Sequence, residues 1–437
     1  MRTIVSKHIR DVSNFKKQLL HWANTFQEFV FLDSNNYNQK YSSFDALVAV
    51  EAFTSIKTDY KNAFEDLHQY QSHTKDWLFG YLSYDLKNDI ENLNSSNFDG
   101  LEFDDLYFFQ PKKIFLIKGN QLEMHYLRLC DDEIESDFKT ITSCLLPFFK
   151  TSTIEIKQRI SKKDYLSKVS KILDHIHRGD LYEANFCMEF FAENTPINPL
   201  EIYHKLNSIS EAPFAVFFKN NFQFLISASP ERYLRKQESK IITQPIKGTA
   251  RRSHIEQEDK LLIADLASNE KERSENIMIV DLVRNDLSKK AMKGSVFVEE
   301  LCEVYTFKQV HQMISTVVSE VENTTSPTQI LKSTFPMGSM TGAPKISAMK
   351  IIEELEESKR GLYSGAMGYF MPTGDFDFNV IIRSILFNSN NNYLSFSVGS
   401  AITAMANPQN EYEECLLKAK AMFDVLHVNN MEIDSRN

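Results

Sequence analysis

Turn signals between apolar runs constrain the fold of this chain more than any other feature. Between residues 107 and 129, two apolar runs flank Lys118-Gly119-Asn120, and a second pair of runs flanks Asn220-Asn221. Short polar turns of this kind connect neighbouring antiparallel strands in hairpins. Further strands are predicted at 240–245, 364–370, 380–387 and 393–398. The hairpins and strands are therefore spread along most of the chain.

Helical segments alternate with these strands. Ser161 followed by Asp164 resembles a capping box, apolar residues follow at helical spacing, and Gly179 ends the predicted helix. A last helix is predicted over 411–425. Helices mixed with several hairpins favour an α+β fold over a regular alternation of parallel strands and helices.

Charge and composition exclude several function classes. The 437 residues are 42% hydrophobic, and 49 Lys and Arg stand against 59 Asp and Glu, a net charge of −10. So acidic a chain is a poor candidate for nucleic-acid or anionic-membrane binding. Five scattered cysteines and the lack of any apolar stretch of about 20 residues predict a cytoplasmic protein. The cysteines are Cys130, Cys144, Cys187, Cys302 and Cys415.

Two acidic pairs are candidates for a metal site. Glu272 and Glu275 are three residues apart on one predicted helix, and Glu411 and Glu414 have the same spacing on another. This spacing places both members of a pair on one helical face. Four carboxylates from two helices can bind Mg²⁺ and leave positions for water and a substrate carboxylate. The alternative is that each pair lies on a solvated helix surface.

The segment 335–345 is rich in Gly, Ser and Thr and leads into a predicted helix. Pro344 suits the first turn, residues 346–355 supply an apolar face that includes Ile346, and Gly361 is expected to end the helix. Backbone N–H groups at such a helix start can bind an anion, and Lys345 would add positive charge. The alternative is an ordinary capped helix.

Three further residues are candidates for acid–base or nucleophilic chemistry. Lys247 lies between isoleucine and glycine at the end of a strand-like run, Glu231 lies in the preceding turn, and His311 follows Val310. An amine can act as a nucleophile when its surroundings lower its pKa. Each of the three also has a structural alternative, as a turn lysine, a turn glutamate or a buried histidine.

Three longer blocks carry a resemblance to a known family. They are residues 272–287, 335–345 and 399–418. With them the chain resembles the chorismate-utilising enzymes over about residues 160–425, and more weakly at 79–86. The resemblance implies a large α+β fold with a β-sandwich core flanked by helices. Region 1–150 would contribute strands to this core, and region 161–425 would be the chorismate-binding catalytic region.

The resemblance also implies roles for single residues. The four glutamates would hold Mg²⁺, which binds the ring carboxylate of chorismate. Arginine suits the enolpyruvyl carboxylate because its planar guanidinium can bind both oxygens. The matching substrate-binding positions are Ser339, Tyr363, Arg383, Gly399 and Lys418, and His311 matches the family's active-site histidine.

Lys247 indicates the sub-family. Its motif Pro-Ile-Lys-Gly-Thr is similar to aminodeoxychorismate synthases, whereas anthranilate, salicylate and isochorismate synthases carry alanine at this position. The resemblance implies that Lys247 adds to ring carbon 2 while the hydroxyl on carbon 4 leaves, protonated by Glu231. Ammonia then attacks carbon 4 and expels the lysine. The expected activity makes 4-amino-4-deoxychorismate from chorismate and ammonia, on the route to 4-aminobenzoate and folate.

Three positions depart from the family's pattern. Glu183 replaces the usual Gln, or the water-activating Lys of isochorismate-type enzymes; Ala401 replaces a glycine, and Met405 replaces an Asp. Two alternatives follow: anthranilate synthase component I, which Lys247 argues against, and a non-catalytic chorismate-binding regulatory subunit. No Cys-His glutaminase signature follows residue 425, so a separate glutamine amidotransferase subunit is the expected source of ammonia.

Overall fold

The computed structural model describes residues 2–37, 39–145 and 154–427, so residues 146–153, at the end of the predicted region 1–150 and just after it, lie outside the described residues. The strands are β1 (Arg2–His8), β2 (Glu28–Asp33), β3 (Ala46–Thr58), β4 (Leu78–Leu82), β5 (Leu106–Lys118), β6 (Gln121–Leu127), β7 (Lys157–Gln158), β8 (Glu183–Ala192), β9 (Phe214–Asn220), β10 (Gln223–Ser229), β11 (Arg232–Gln237), β12 (Lys240–Gln244), β13 (Ile246–Arg251), β14 (Phe297–Thr306), β15 (Val310–Glu320), β16 (Gly342–Ala343), β17 (Ala366–Phe370), β18 (Phe376–Val380), β19 (Ser384–Asn388) and β20 (Tyr393–Thr403). The α-helices are α1 (Val12–Ala23), α2 (Ala63–Thr74), α3 (Lys87–Ile90), α4 (Ile134–Thr142), α5 (Lys162–Arg178), α6 (Pro199–Ser210), α7 (Glu256–Ser268), α8 (Glu270–Ser288), α9 (Pro327–Thr334), α10 (Lys345–Leu355) and α11 (Pro408–Leu426).

The named strands form one antiparallel hydrogen-bonded network that divides at β5. One branch runs from β5 through β3, β2, β9, β10, β19 and β20 to β8. The other runs from β5 through β4, β17, β18, β11 and β12 to β15. Both predicted hairpins are confirmed, as β5–β6 and β9–β10.

The apolar core lies between the two branches and beneath the helices. Val30 and Leu225 of the first branch share a buried cluster with Phe79 and Met367 of the second. Helices α1, α5, α6, α10 and α11 pack on the outside of the first branch, and α2, α8 and α9 on the outside of the second. Because it is covered on both faces, β8 is buried along its whole length. This is the predicted β-sandwich flanked by helices.

Strands from the first third of the chain lie within both branches. β2 pairs with β9 over Glu28–Asp33, and β4 pairs with β17 over Leu78–Leu82. The loop after β4 then contacts the loop before β17, where the Tyr84 N–H donates to the Gly361 carbonyl. The described helices include none that is long and apolar enough to cross a membrane.

The capping residues correctly predict the bounds of α5, whereas the apolar run over 380–387 does not show that two strands are separated there. Ser161 accepts from the Asp164 N–H at the start of α5, and Gly179, at φ 86°, caps its end as predicted. The single strand predicted over 380–387 is wrong: β18 ends at Val380, β19 begins at Ser384, and Arg383 lies between them at φ 53°. The apolar run through this segment gives no sign of the interruption.

The helix after segment 335–345 differs from its prediction in two respects. Ile346, expected in the buried face, is 45% exposed, and α10 ends at Leu355, before Gly361. The Lys345 ammonium does not face a ligand site: it is 2.5 Å from Asp286 and donates to the carbonyls of Thr334 and Pro336. These contacts engage the Lys345 side chain within the fold.

Candidate active site

One cavity of about 560 Å³ gathers residues from distant parts of the sequence. It lies between α8 and α11 on one side and β13, β20 and the segment before β19 on the other. Eleven of the twelve predicted site residues line it, so that a sequence span of nearly two hundred residues converges on one space. They are Glu231, Lys247, Glu272, Glu275, Ser339, Tyr363, Arg383, Gly399, Glu411, Glu414 and Lys418.

Glu272 and Glu411 lie in the first turns of α8 and α11, and Glu275 and Glu414 follow one turn later. Asn269 caps α8 by accepting from the Glu272 N–H, and Asn407 caps α11, which carries Glu411 and Glu414. The positive end of a helix dipole favours carboxylates in the first turn. The E-x-x-E spacing therefore does what the sequence predicted: it directs each pair toward the same cavity.

Burial works against the charges of these carboxylates. It raises the pKa of Glu275 to about 7, and with the charge of Glu414 it raises the pKa values of Glu272 and Glu411. Burial also acts on Glu414, but the Lys418 ammonium 2.6 Å away outweighs it and lowers the Glu414 pKa. Three of the four carboxylates would therefore gain from a nearby cation.

A lysine that the sequence analysis missed supplies part of that charge. Lys271 Nζ is 3.4 Å from Glu411 and 3.8 Å from Glu275, its neighbour at i+4. In the described part of the chain no three His, Cys, Asp or Glu side chains converge as a metal-binding group. The donor chemistry nevertheless fits a hard divalent cation, because the carboxylates share one cavity and the buried Glu275 Oε1 has no hydrogen-bond partner among the described residues. The i,i+4 spacing to Glu275 was the signal that could have identified Lys271.

Lys247 lies on β13 in contact with a carboxylate from another strand. Its Nζ is 2.8 Å from Glu183 Oε1 on β8. Burial alone would lower the pKa of Lys247, but the charge of Glu183 outweighs burial and raises it. The downward shift that a nucleophilic amine requires is therefore not present in the ligand-free site.

Glu231 is an acid group held close to neutrality. Its side chain is 2% exposed and accepts a hydrogen bond of 2.7 Å from Ser339 Oγ. Burial raises the pKa of Glu231 to about 7. A carboxyl with this pKa can hold a proton at physiological pH and donate it to a leaving group.

Three of the predicted substrate-binding residues are linked by hydrogen bonds along the cavity. The Arg383 guanidinium donates to the Lys418 carbonyl at 3.3 Å, and the Lys418 ammonium donates to the Gly399 carbonyl at 2.8 Å. A Cβ at Gly399 would lie 2.6 Å from Cys187 Sγ, so no side chain fits there. Tyr363 is buried beside the same thiol.

His311 is the predicted site residue that the structure does not bring to this cavity. Its neighbours Val310 and Gln312 line the cavity, but His311 points to the other face of β15, as strand alternation requires. Its Nε2 is 2.9 Å from Asp259, and its Nδ1 is 2.9 Å from Thr306 Oγ1. Both ring nitrogens therefore have partners away from the other site residues.

The positions that depart from the family's pattern fall in three different environments. Glu183 is buried against Lys247. Ala401 lines the cavity from β20, where extended backbone accommodates any side chain. Met405 is 85% exposed in the turn that follows.

The sandwich and its carboxylate- and lysine-lined cavity define a class of enzyme. The chain belongs to the chorismate binding enzyme family, whose sequence model matches residues 27–424.

The aminodeoxychorismate synthase of Streptomyces griseus is 39% identical to this chain over 282 residues, which are 64% of this chain and 38% of that protein. The chain thus spans less than half the length of that relative. Aminodeoxychorismate synthase component 1 of Bacillus subtilis is 30% identical over 88% of this chain and 82% of its own. Anthranilate synthase component I of Streptococcus pneumoniae has a solved structure that is similar to this one, with a TM-score of 0.75 and 27% identity over 89% of this chain and 94% of that chain. The predicted fold is confirmed by this likeness.

Proposed function

We propose that the chain is an aminodeoxychorismate synthase component I, which converts chorismate and ammonia to 4-amino-4-deoxychorismate. The observation that carries this proposal is Lys247, whose amine lines the cavity where anthranilate-forming relatives are expected to have an alanine methyl. An amine there can act as a nucleophile and also fills space that ammonia would need to reach ring carbon 2. The relatives from Streptomyces griseus and Bacillus subtilis support the same activity.

In the proposed mechanism, different site residues act in two successive displacements on the chorismate ring. The Lys247 amine attacks ring carbon 2, and Glu231, protonated near neutral pH, gives its proton to the departing hydroxyl of carbon 4. Ammonia then attacks carbon 4 and releases the lysine. Arg383 binds the enolpyruvyl carboxylate, and Tyr363, Lys418 and Gly399 line the same cavity.

Magnesium belongs to the same proposal. Glu272, Glu275, Glu411 and Glu414 would hold the ion, and when bound it supplies positive charge that neutralises the carboxylates and attracts the ring carboxylate of the substrate. The support is that Glu272, Glu275 and Glu411 are buried and have raised pKa values, which a nearby cation would lower.

A glutamine amidotransferase subunit is the proposed source of ammonia. The support is the Bacillus subtilis relative, which is named as component 1 and is matched along most of its length. We also propose a cytoplasmic location, which the five unpaired thiols favour because reducing compartments keep cysteines in this state.

The deciding experiment is chromatographic analysis of the product formed from chorismate, an ammonium salt and Mg²⁺. Aminodeoxychorismate is the expected product. Anthranilate would show that Lys247 does not direct the amination, and unchanged chorismate that is nevertheless bound would show a non-catalytic binding subunit.

A further inference from the structure

The two displacements assign no role to Glu183, yet its side chain is the one closest to Lys247, the proposed nucleophile. It is the first residue of β8 and only 1% exposed. Its backbone is fixed on both sides, by pairing with Ala343 of β16 and Thr403 of β20. This pairing holds the carboxylate against Lys247 with little freedom to move.

The two oxygens of Glu183 differ in their contacts. Oε1 lies 2.8 Å from Lys247 Nζ, whereas Oε2 is buried and has no hydrogen-bond partner among the described residues. The lone pairs of Oε2 are therefore open to accept a hydrogen bond or a proton.

Lys247 must lose a proton before it can attack, because an ammonium nitrogen has no free electron pair. Several carboxylates surround it, but Glu183 is the one within hydrogen-bond distance of Nζ in the described structure. The others face it across the cavity and are engaged as the proposed leaving-group acid or cation ligands. The carboxylates whose charges act on Lys247 are Glu183, Glu231, Glu272, Glu275 and Glu414.

We propose that Glu183 is the base that takes the proton from Lys247 Nζ and returns it at the end of the cycle, an inference that rests on the proposed function. The N–H bond breaks and the proton passes to the Glu183 carboxylate. The freed electron pair forms the bond from Nζ to ring carbon 2, the conjugated double bonds shift, and the carbon 4 hydroxyl leaves as water with the proton of Glu231.

The second displacement restores every proton. Ammonia forms its bond to carbon 4, and the bond from carbon 2 to Nζ breaks with its electron pair returning to Lys247. The new substituent is first an ammonium group, which gives a proton to Glu231. Protonated Glu183 then returns its proton to Lys247. The net reaction is chorismate plus ammonia to aminodeoxychorismate plus water, with no external acid or base.

Transfer within the pair changes the free energy balance of a buried site. Burying an ion pair costs the desolvation free energy of both charges. Moving the proton from the ammonium to the carboxylate gives two neutral groups, which loses the attraction between the charges but also removes both desolvation costs. Because the total number of protons bound by Glu183 and Lys247 does not change, the equilibrium of this transfer does not depend on the pH of the solvent. An amine without such a partner must release its proton to water and becomes more reactive as the pH rises.

The test measures adduct formation on Lys247 by mass spectrometry after rapid quenching, with saturating chorismate and Mg²⁺ and no ammonia. For the wild type we expect a rate that is flat between about pH 5.5 and 7 and declines above, where Glu231 loses its proton. For Glu183→Gln we expect a rate lower by about 10²-fold at pH 7, rising by about tenfold per pH unit on the acid side. Glu193→Gln, at the exposed turn after the same strand, serves as the control with wild-type behaviour.

The wild-type profile alone can overturn the inference, even if Glu183→Gln fails to fold. An adduct rate that rises by about tenfold per pH unit below pH 7 would mean that the amine loses its proton to solvent. A folded Glu183→Gln with the wild-type rate, or a faster one, would also overturn it while leaving the lysine mechanism intact. No adduct in the wild type at any pH would remove both the lysine step and its base.

Discussion

At the scale of single residues, the site combines groups whose preferred charges are opposed by burial. Glu231 and Glu275 reach pKa values of about 7, and the charge of Glu183, with those of Glu275 and Glu231, raises the pKa of Lys247 despite its burial. The residue types at these positions could be read from the sequence, and their meeting in one cavity was correctly predicted. The Glu183–Lys247 contact was not, because no local pattern links strands β8 and β13.

Replacing Lys247 by alanine should abolish most of the lysine-dependent rate while leaving chorismate binding in place. The nucleophile is lost, but Arg383 and the glutamates still line the cavity. Some amination at carbon 2 is expected, because the space vacated by the side chain is open to ammonia. Product chromatography and mass spectrometry of quenched enzyme give the two readouts.

The exposed Lys290→Ala serves as the control for lost charge. Wild-type production of aminodeoxychorismate by Lys247→Ala, with no chorismate adduct on the wild-type lysine, would show that Lys247 is only a structural residue of β13 and would remove the sub-family assignment.

Glu231 should make stability decline as the pH rises from about 4.5 to 7. Its pKa is about 7 in the fold against an ordinary value of 4.5, so the folded state favours the protonated form. The stabilisation is complete below the unfolded pKa and is lost by the time the pH passes the folded one, a change of about 3 kcal/mol. Glu231→Gln has no such titration.

The measurement is thermal unfolding of both proteins at pH 5 and pH 8 without ligands. The Tm of Glu231→Gln relative to the wild type should be higher at pH 8 than at pH 5. Because Glu275 titrates with the same sign in both proteins, only the difference between them is informative. An equal difference at the two pH values would show that Glu231 is not protonated in the fold.

At the scale of secondary-structure elements, caps and spacing were the reliable sequence signals. Ser161 and Gly179 bound α5, and the E-x-x-E pairs both begin helices that face the cavity. Apolar periodicity was less informative, since it joined β18 and β19 across Arg383 and placed the exposed Ile346 in a core. Neither the left-handed backbone at Arg383 nor the side of α10 that meets solvent is set by local sequence; both depend on tertiary packing.

The carboxylates that α8 and α11 contribute to one cavity lead to a prediction for the metal. Glu272→Gln removes one charge with little change in volume, so Mg²⁺-dependent chorismate binding and turnover should weaken. Glu413→Gln is the matched control, because this carboxylate is exposed on α11 and accepts from Gln409 instead of facing the cavity. Titration of activity with Mg²⁺ after EDTA treatment distinguishes the two variants.

Full activity of Glu272→Gln in the presence of EDTA would contradict the metal assignment. Loss of activity in Glu413→Gln equal to that in Glu272→Gln would indicate a general effect on α11 and α8 instead of a cation site.

At the scale of the whole molecule, the proposed reaction depends on a supply of ammonia. The cavity gathers acids, cations and an amine, and none of the twelve predicted site residues is a cysteine that could attack glutamine. The purified chain should therefore use ammonium salts but not glutamine. Adding a glutamine amidotransferase subunit should make glutamine a substrate, with product formation followed by chromatography.

Glutamine-dependent turnover by the purified chain alone would contradict this prediction. Turnover with ammonium that is unchanged when the amidotransferase and glutamine are added would contradict the proposed partnership while leaving the chemistry intact.

Strand β5 belongs to both branches of the sandwich, and this has a consequence for how the molecule comes apart. A polypeptide cut between the N-terminal strands and the catalytic region would leave each piece with open sheet edges where β2 met β9 and where β4 met β17. Neither fragment would keep its native protection from amide hydrogen exchange, and the two should regain it only by reassociating. The first third of the chain thus completes the sheets that support a cavity to which it contributes no predicted catalytic residue.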